Sequence, residues 1–243
     1  MAIYNREDNY IKILSERTHT VKELAEKLFV SEPTVRRDIL LLKKKELVTC
    51  VNGNVSLKIV SPDKRIPLFI RDYENIEAKS VIALRAKEYI RSGDAIMLDA
   101  STSAYALLPH LTNFKDLFVV TSGAKISIAL SAMGIRHVCT GGESISESFS
   151  FVGPDAERTL QGYNVNIAFF SCRGLSADGM ASDNSIPENN IRRIMIRQAK
   201  RKILLCDSSK FNRTYLNTLC HANELDAIVC EKELPKAIIE RLK

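Results

Sequence analysis

The chain has 243 residues, more than one small domain needs, which favours two domains. Apolar residues make up 45% of it, enough for a proper core, and the formal net charge is +6. No signal peptide and no long apolar run is present, so we expect a soluble, cytoplasmic protein without a membrane partner.

The charge distribution bears on the kind of partner, and the cysteine content bears on metal binding and disulfides. Residues 1–60 hold 11 Lys and Arg against 8 Asp and Glu, so half of the net charge lies in a quarter of the chain. That distribution gives weak support to a polyanionic partner. The six cysteines include no C-x-x-C pair and several lie in apolar runs. We therefore expect reduced core cysteines, no metal site and no cofactor.

Residues 20–47 predict two short helices separated by a tight turn. The hydroxyl of Thr20 can cap the first helix, and Glu23, three residues on, can complete a capping box. The apolar residues of this helix share one face, at Leu24, Ala25 and Leu28. The pattern breaks at Phe29-Val30, which places the turn there.

The second helix begins at Ser31, a good N-cap, and tolerates Pro33 in its first turn. Its inward positions follow a helical spacing at Val35, Ile39 and Leu42. Its outer N-terminal side carries Thr34, Arg36 and Arg37.

This arrangement suits a helix-turn-helix that reads the major groove of operator DNA. Arginine fits the edge of guanine with two hydrogen bonds, which favours the outer arginines as base-reading residues. The alternative is that they form only the solvated face of a small helical domain. We predict a DNA-binding set consisting of Ser31, Thr34, Arg36, Arg37, Lys43 and Asn52.

A hairpin follows the second helix. Strands are predicted at 48–51 and 55–59, joined by Asn52-Gly53, a strong two-residue turn signal. Such a hairpin fits the wing of a winged helix, although it can also simply cover the small core. With a first helix at 5–16, residues 1–59 form the predicted DNA-binding domain. Residues 60–70, with two prolines, are the predicted linker, and residues 71–243 the second domain.

The second domain alternates short apolar runs with helical segments, which predicts a mostly parallel α/β sheet covered on both faces. The predicted strands are 95–100, 117–121, 135–140, 166–171, 202–207 and 226–230. The predicted helices are 78–90, 103–111, 124–133, 154–160, 187–200 and 233–242.

Polar and glycine residues follow these strands, at the sheet edge where α/β proteins bind ligands. Hydroxyls and amides at 101–103 open a helix and suit a phosphate, cations can add charge, and carboxylates can bind sugar hydroxyls. The composition fits a phosphorylated polyol. The predicted effector-binding residues are Asp99, Ser101, Thr102, Ser103, Thr121, Gly142, Glu143, Arg173, Glu188 and Lys210.

Along nearly its whole length the chain resembles the DeoR family of transcriptional regulators. The motifs that carry the resemblance are V-S-x-x-T-V-R-R-D at 30–38, G-D-x-I-x-L-D at 93–99, Gly141-Gly142, S-F-V-G at 150–153 and D-S-S-K at 207–210. The resemblance implies a winged helix joined to a sugar-phosphate sensor domain similar to ribose-5-phosphate isomerase. It also implies a repressor of a carbohydrate-metabolism operon whose DNA affinity responds to a phosphorylated sugar. The wing departs from the family pattern at residues 49–54, where the usual basic residue and histidine are absent.

The rival hypothesis is a sugar-phosphate isomerase with a DNA-binding appendage. Isomerisation needs a base and groups that stabilise an enediolate. The isomerases that the chain resembles carry an acidic pair at the stretch that matches residues 171–175, which here has none. Glu188 alone is insufficient, so we expect a ligand sensor and no enzyme. We also expect a homodimer or higher homo-oligomer, because one recognition helix covers few base pairs.

Overall fold

The computed structural model describes residues 3–44, 47–57 and 68–242. The chain divides into two compact units, residues 1–74 and 75–243. Within the described ranges, no helix has the length and apolar character needed to cross a bilayer. The elements of the first unit are α1 (Ile3–Glu16), β1 (His19–Thr20), α2 (Val21–Leu28), α3 (Glu32–Lys44), β2 (Val48–Val51), β3 (Asn54–Leu57) and α4 (Leu68–Tyr73).

The helix-turn-helix forms as its sequence predicts. The Thr20 hydroxyl accepts from the Glu23 amide at 3.2 Å, and the Glu23 carboxylate accepts from the Thr20 amide at 2.7 Å, which completes the capping box. Phe29 ends α2 in the left-handed conformation, with φ of 54°. The three predicted inward residues of α3, Val35, Ile39 and Leu42, are all buried.

Strands β1, β3 and β2 form one antiparallel sheet in that order. Asn52 and Gly53 join β2 to β3 with φ values of 50° and 77°, as a tight hairpin turn with two positive φ angles requires. This is the predicted wing, and the second predicted strand extends to positions 58 and 59, outside the described residues. The wing also covers the core, because Val48 and Val55 are buried in it.

The boundary between the domains differs from the prediction. Helix α4 packs with α1, and its Ile70 is buried in the core of the first unit. The first unit therefore extends to residue 74, past the predicted start of the second domain at residue 71. The prolines in the sequence marked an interruption, but they did not reveal that the chain returns to the first core. Most of the predicted linker, residues 60–67, lies outside the described residues.

The second unit contains a six-stranded sheet, a three-stranded sheet and a hairpin. Its elements are α5 (Ile76–Ala86), β4 (Ala95–Leu98), α6 (Thr102–Tyr105), α7 (Leu108–Leu111), β5 (Phe118–Thr121), α8 (Ala124–Ala132), β6 (His137–Cys139), β7 (Glu143–Ile145), β8 (Ser150–Val152), α9 (Gly153–Gln161), β9 (Val165–Ser171), β10 (Gly174–Leu175), β11 (Met180–Asp183), α10 (Ile186–Gln198), β12 (Ala199–Leu205), β13 (Asn217–His221), β14 (Ala227–Val229) and α11 (Lys236–Ile239).

The six predicted strands form the large sheet, in the order β14-β12-β9-β4-β5-β6, and all neighbours are parallel. Successive residues of β4 pack into opposite cores: Met97 into one, Ile96 and Leu98 into the other. A parallel sheet covered on both faces explains why its strands read as continuous apolar runs. The predicted fold class is confirmed. All six cysteines carry free thiols, and four of them are buried.

Three features of the second unit were not predicted. The segment predicted as one helix at 103–111 forms α6 and α7, because Pro109 has no amide to continue the hydrogen bonding of the first helix. The β7–β8 hairpin and the β10-β11-β13 sheet were also missed. Their strands have two to five residues and no clear alternation, which is too short a signal for periodicity to detect.

Candidate DNA interface and effector site

Most of the predicted DNA-binding residues lie at the start of α3, and Lys43 lies in its last turn. Ser31, Arg36, Arg37 and Lys43 are exposed, whereas Thr34 is half-buried. The hydroxyls of Ser31 and Thr34 are hydrogen-bonded at 2.9 Å, and the Ser31 hydroxyl also accepts from the Thr34 amide at 3.4 Å. These contacts hold the first turn of the helix, so Ser31 and Thr34 contribute to its local geometry.

Arg36 forms an exposed ion pair with Glu32, one turn earlier, at 3.2 Å, and its side chain is 64% exposed. An exposed pair of this kind contributes about 0–1 kcal/mol. The guanidinium can therefore exchange Glu32 for a base edge or a phosphate at little cost. Arg37 is exposed beside it, which gives this end of α3 two adjacent arginine side chains.

Asn52 is exposed at the tip of the wing. Its left-handed backbone, with φ of 50°, explains why asparagine suits this position as part of the turn. The wing strands are joined by a 2.9 Å hydrogen bond between the hydroxyls of Thr49 and Ser56. The predicted contact of Asn52 with DNA stays a prediction.

In the second domain, a small cavity lies at the carboxyl end of the large sheet. It is lined by Asp99, Ala100, Ser122, Ser150, Phe151, Val152, Glu188, Ile191 and Arg192. Two predicted effector residues, Asp99 and Glu188, belong to this lining. The cavity combines two carboxylates, one guanidinium and two hydroxyl groups, as a site for a polar ligand requires.

Asp99, just after β4, is almost fully buried and holds this edge together. Its Oδ1 accepts from the amide of Ser101 at 3.2 Å and from the hydroxyl of Ser101 at 2.6 Å. Its Oδ2 accepts from the Ser171 amide at 3.2 Å and from Arg192 Nε at 2.9 Å. We predicted Asp99 as a ligand for sugar hydroxyls, but these four bonds make it primarily a structural carboxylate.

Arg192 is the main residue that the sequence analysis missed. It lies in α10, is buried, and bonds Asp99 and Asp183 at 2.9 Å each. Its Nη1 also donates to the Asn189 side chain at 3.2 Å. Burial alone lowers the pKa of Arg192, but the nearby carboxylates outweigh burial and hold its pKa above the usual value. An arginine on the same helical face as Ile191 and Met195 was the available signal.

Ser101, Thr102 and Ser103 are all buried at the start of α6. The Ser101 hydroxyl is engaged, because it donates to Asp99 and accepts from the Ala104 amide at 3.1 Å. The amides of Thr102 and Ser103 are the first two of the helix and have no acceptor within it. The Ser101 side chain therefore positions a turn whose next two amides face away from the helix body.

Lys210 and Arg173 lie at the ends of neighbouring strands. Lys210 Nζ donates to the Ser171 hydroxyl at 2.8 Å and lies 3.5 Å from Asp207 Oδ2. Burial is the largest single effect and lowers the pKa of Lys210, but Asp207, Cys206 and Cys172 together outweigh burial and raise it. The Arg173 guanidinium stacks over the Tyr215 ring at 5.1 Å, and its backbone amide donates to Ser182. Lys210 is thus linked to the Asp99 network through Ser171.

Thr121 at the end of β5 and Gly142 after β6 fix the backbone of the turns that follow these strands. Thr121 is fully buried and its hydroxyl accepts from the Gly123 amide at 3.0 Å, so it fixes the turn after β5. Gly142 has φ of 103°, and a Cβ there would lie 2.6 Å from the Val152 carbonyl oxygen. Glycine is required at this position by both backbone conformation and close packing. Neither residue is among those that line the cavity.

The β7–β8 hairpin brings in residues that the sequence did not indicate. Ser150 in β8 donates to Glu188 Oε1 at 3.0 Å and is hydrogen-bonded to the Ser148 hydroxyl at 2.7 Å. Glu143 is exposed in β7, opposite Val152, and lies outside the cavity lining. The hairpin therefore places a serine, and not the predicted Glu143, at the cavity.

The comparisons with known proteins match this architecture. A model of the DeoR-like helix-turn-helix domain matches residues 6–58, and a model of the DeoR C terminal sensor domain matches residues 74–232. The chain belongs to the DeoR family. It is a DNA-binding transcriptional regulator with an N-terminal helix-turn-helix, as the sequence resemblance predicted.

Relatives agree with the DeoR assignment. The uncharacterized HTH-type transcriptional regulator YulB of Bacillus subtilis is 31% identical, over 100% of this chain and 94% of that one. The lactose phosphotransferase system repressor of Staphylococcus epidermidis is 29% identical over 95% and 93%. Similar structures include ribose 5-phosphate isomerase A of Methanocaldococcus jannaschii, at 17% identity and a TM-score of 0.43 over 57% of this chain and 55% of that one. The fold assignment rests on the family models and the sheet order.

Proposed function

We propose that this DeoR-family regulator represses a carbohydrate-metabolism operon and that a phosphorylated sugar changes its affinity for operator DNA. Helix α3 binds the major groove, and the sugar phosphate binds at the carboxyl end of the large sheet. The match to a sensor-domain model and the similarity to a lactose system repressor support this assignment.

One observation carries the proposal. Asp99, Ser101, Ser171 and Arg192, all buried, and the half-buried Lys210 form one hydrogen-bond network at the carboxyl ends of β4 and β9. Burying a charge destabilises the fold unless the charge is paired. A paired network of this size can hold the side chains of a polar site in fixed positions. Two of its members, Asp99 and Arg192, line the cavity, which lies at the edge where open α/β sheets bind their ligands.

Within this site, the phosphate binds the amides and hydroxyls of Thr102 and Ser103, with charge supplied by Lys210 and Arg173. Amides at a helix start and cations together favour an anion. Glu188, which Ser150 already orients, takes a sugar hydroxyl, whereas the predicted Glu143 is exposed outside the cavity lining and has no role in this arrangement. The other predicted residues, Asp99, Ser101, Thr121 and Gly142, hold the frame of the site.

A thermal-shift screen with pentose and hexose monophosphates tests this site. A ligand that binds only the folded chain stabilises it by a free energy of RT ln(1 + [L]/Kd), and the melting temperature rises as a result. We expect at least one sugar phosphate to shift the wild type, and the unphosphorylated sugar to have no effect. The double variant Thr102→Ala, Ser103→Ala should lose the shift.

The matched control is Thr112→Ala with Ser131→Ala, which removes the same two hydroxyl types at exposed positions. This control should respond like the wild type. A full response of the Thr102, Ser103 double variant, or equal shifts with sugar and sugar phosphate, would place the phosphate elsewhere.

The regulator acts on DNA as a homodimer or higher homo-oligomer. One recognition helix covers few base pairs, so specific binding calls for paired half-sites. Leu40 and Leu41 of α3 are 61% and 47% exposed, and such apolar side chains are available for a subunit contact. Light scattering should give at least twice the mass of one chain; a monomer both free and on DNA contradicts this part of the proposal.

The isomerase hypothesis is the alternative. Glu188 is a carboxylate at the cavity, which is the one observation that favours it. Residues 171–175 contain no acid, and Asp99 is fully engaged with Arg192, Ser171 and Ser101. General acid–base groups typically contribute about 10²–10⁴-fold each. We therefore expect no interconversion of aldose and ketose phosphates; turnover lost in Glu188→Gln would reverse the assignment.

A further inference from the structure

Asn75 occupies an unusual place in the chain. It is the first residue of the second unit and stands directly before α5, in the N-cap position. Asparagine at an N-cap normally adopts an extended backbone and bonds the amides of its own helix. Here it has the left-handed conformation, with φ of 53°, and its side chain makes no capping hydrogen bond. The side chain is therefore used for something other than its own helix.

That side chain binds the D-S-S-K segment instead. Asn75 Nδ2 donates to Asp207 Oδ1 at 3.2 Å and to the Ser209 hydroxyl at 3.0 Å, across more than 130 positions of sequence. Lys79, one turn further along α5, is buried and lowers the pKa of Asp207, although Lys210 contributes more and burial opposes both. The residue that precedes α5 is thus hydrogen-bonded to Asp207.

Asp207 also forms an ion pair with Lys210, one of the predicted effector-binding residues. It is buried, and its Oδ2 has no hydrogen-bond partner among the described residues, although Lys210 Nζ lies 3.5 Å away. Lys210 donates its short hydrogen bond to Ser171, whose amide binds Asp99. A contiguous chain of contacts therefore runs from the cavity through Ser171, Lys210 and Asp207 to Asn75.

We propose that Asn75 is the positioning residue that transmits effector binding from the Asp207–Lys210 segment to the start of the second domain. This inference rests on the proposed function. A phosphate near Lys210 competes with Asp207 for the ammonium group, because both are anions. The hydrogen bonds that Asn75 donates to Asp207 and Ser209 then change. The residue before Asn75, Glu74, ends the first unit, so the change occurs where the chain enters the second domain.

The test compares Asn75→Gly with the wild type. Glycine keeps the left-handed backbone without strain and removes the whole side chain, including the amide that donates to Asp207 and Ser209. The probe is the pentose or hexose monophosphate that gives the largest thermal shift on the wild type. Two quantities are measured: the thermal shift, and the ratio of operator Kd with and without the probe.

Effector coupling of this kind typically changes affinity about 5–150-fold. We expect Asn75→Gly to keep the thermal shift and the probe-free operator Kd, while the Kd ratio falls towards one. By reciprocity, operator DNA should then no longer change the affinity for the probe. A merely structural role of Asn75 would lower the melting temperature and leave the ratio unchanged. Asn75→Asp, which places a second carboxylate against Asp207, should also uncouple the two sites.

The matched control is Asp116→Gly, an exposed residue with φ of 55° just before the amino end of β5, at the opposite end of the strands from the cavity. It should keep the wild-type ratio. An unchanged ratio in Asn75→Gly overturns the role of Asn75 and leaves the effector site intact. If no sugar phosphate shifts the wild type, the proposed function itself fails and this inference with it.

Discussion

The two domains place their important charges in opposite environments. Arg36 on the recognition helix is 64% exposed, and its ion pair with Glu32 is open to solvent. Arg192 beside the cavity is 7% exposed, and both of its carboxylate partners are largely buried. Removing one member of an exposed pair costs about 0–1 kcal/mol, whereas breaking a buried pair costs about 3–5 kcal/mol.

This difference separates function from stability in the first domain and joins them in the second. A DNA-reading side chain can be replaced without loss of the fold, because apolar residues beneath it form the core. The proposed effector site has no such division, because the charges that line the cavity also join β4, β9 and α10. Mutations in the two regions should therefore have measurably different signatures.

The largest expected effect is on stability, from Arg192→Met. Methionine keeps the apolar stem of the side chain but leaves Asp99 and Asp183 buried without their cation, so the free energy of unfolding should fall by about 3–5 kcal/mol. Urea unfolding followed by circular dichroism measures it. The control is Arg158→Met, because Arg158 pairs with Asp155 at the same 2.9 Å but on the surface. Equal losses in the two variants would contradict the distinction between buried and exposed ion pairs.

The next effect is on DNA binding alone. Arg36→Ala and Arg37→Ala should each weaken operator binding by about 1–3 kcal/mol if the contact is to a base. Their urea midpoints should stay at the wild-type value, since both side chains are exposed. Titration of a labelled operator measures the binding, with Arg158→Met again as the control for a lost positive charge. Wild-type affinity in both arginine variants would show that α3 does not read DNA through them.

The smallest effect comes from the capping box, which supports the start of α2. Thr20→Ala should lower the stability of the first domain by about 0.5–2 kcal/mol, and the neighbouring exposed Thr18→Ala should not. Hydrogen exchange of the α2 amides would locate the loss. Comparable effects of the two variants would mean that the cap contributes nothing specific.

The capping box also has a pH signature. Bonds from the Thr20 amide and Arg17 hold the pKa of Glu23 at about 2, below its usual value. A lowered folded-state pKa means that its contribution is present above the usual pKa and is lost as pH falls towards 2. Acid unfolding of Glu23→Gln should therefore depend less on pH over that range than acid unfolding of the wild type. Identical acid profiles would assign the acid sensitivity to other carboxylates.

Local signals explain which parts of the structure were predictable. The capping box, the inward spacing of α3 and the Asn52-Gly53 turn each lie within four to eight residues, so the sequence displays them directly. The six apolar runs predicted the large sheet for the same reason. The end of the first domain was missed, because α4 joins α1 through contacts between residues far apart in the chain.

The sequence by itself determined the two-domain plan, the winged helix and the parallel sheet, because helix and strand periods and turn residues act over short distances. Only the tertiary structure decided which polar residues meet. Asp99 bonds Ser171 and Arg192 across 72 and 93 positions, and Asn75 bonds Asp207 across 132. No local pattern encodes such pairs, since a buried charge becomes favourable only where folding brings its partner within hydrogen-bond distance.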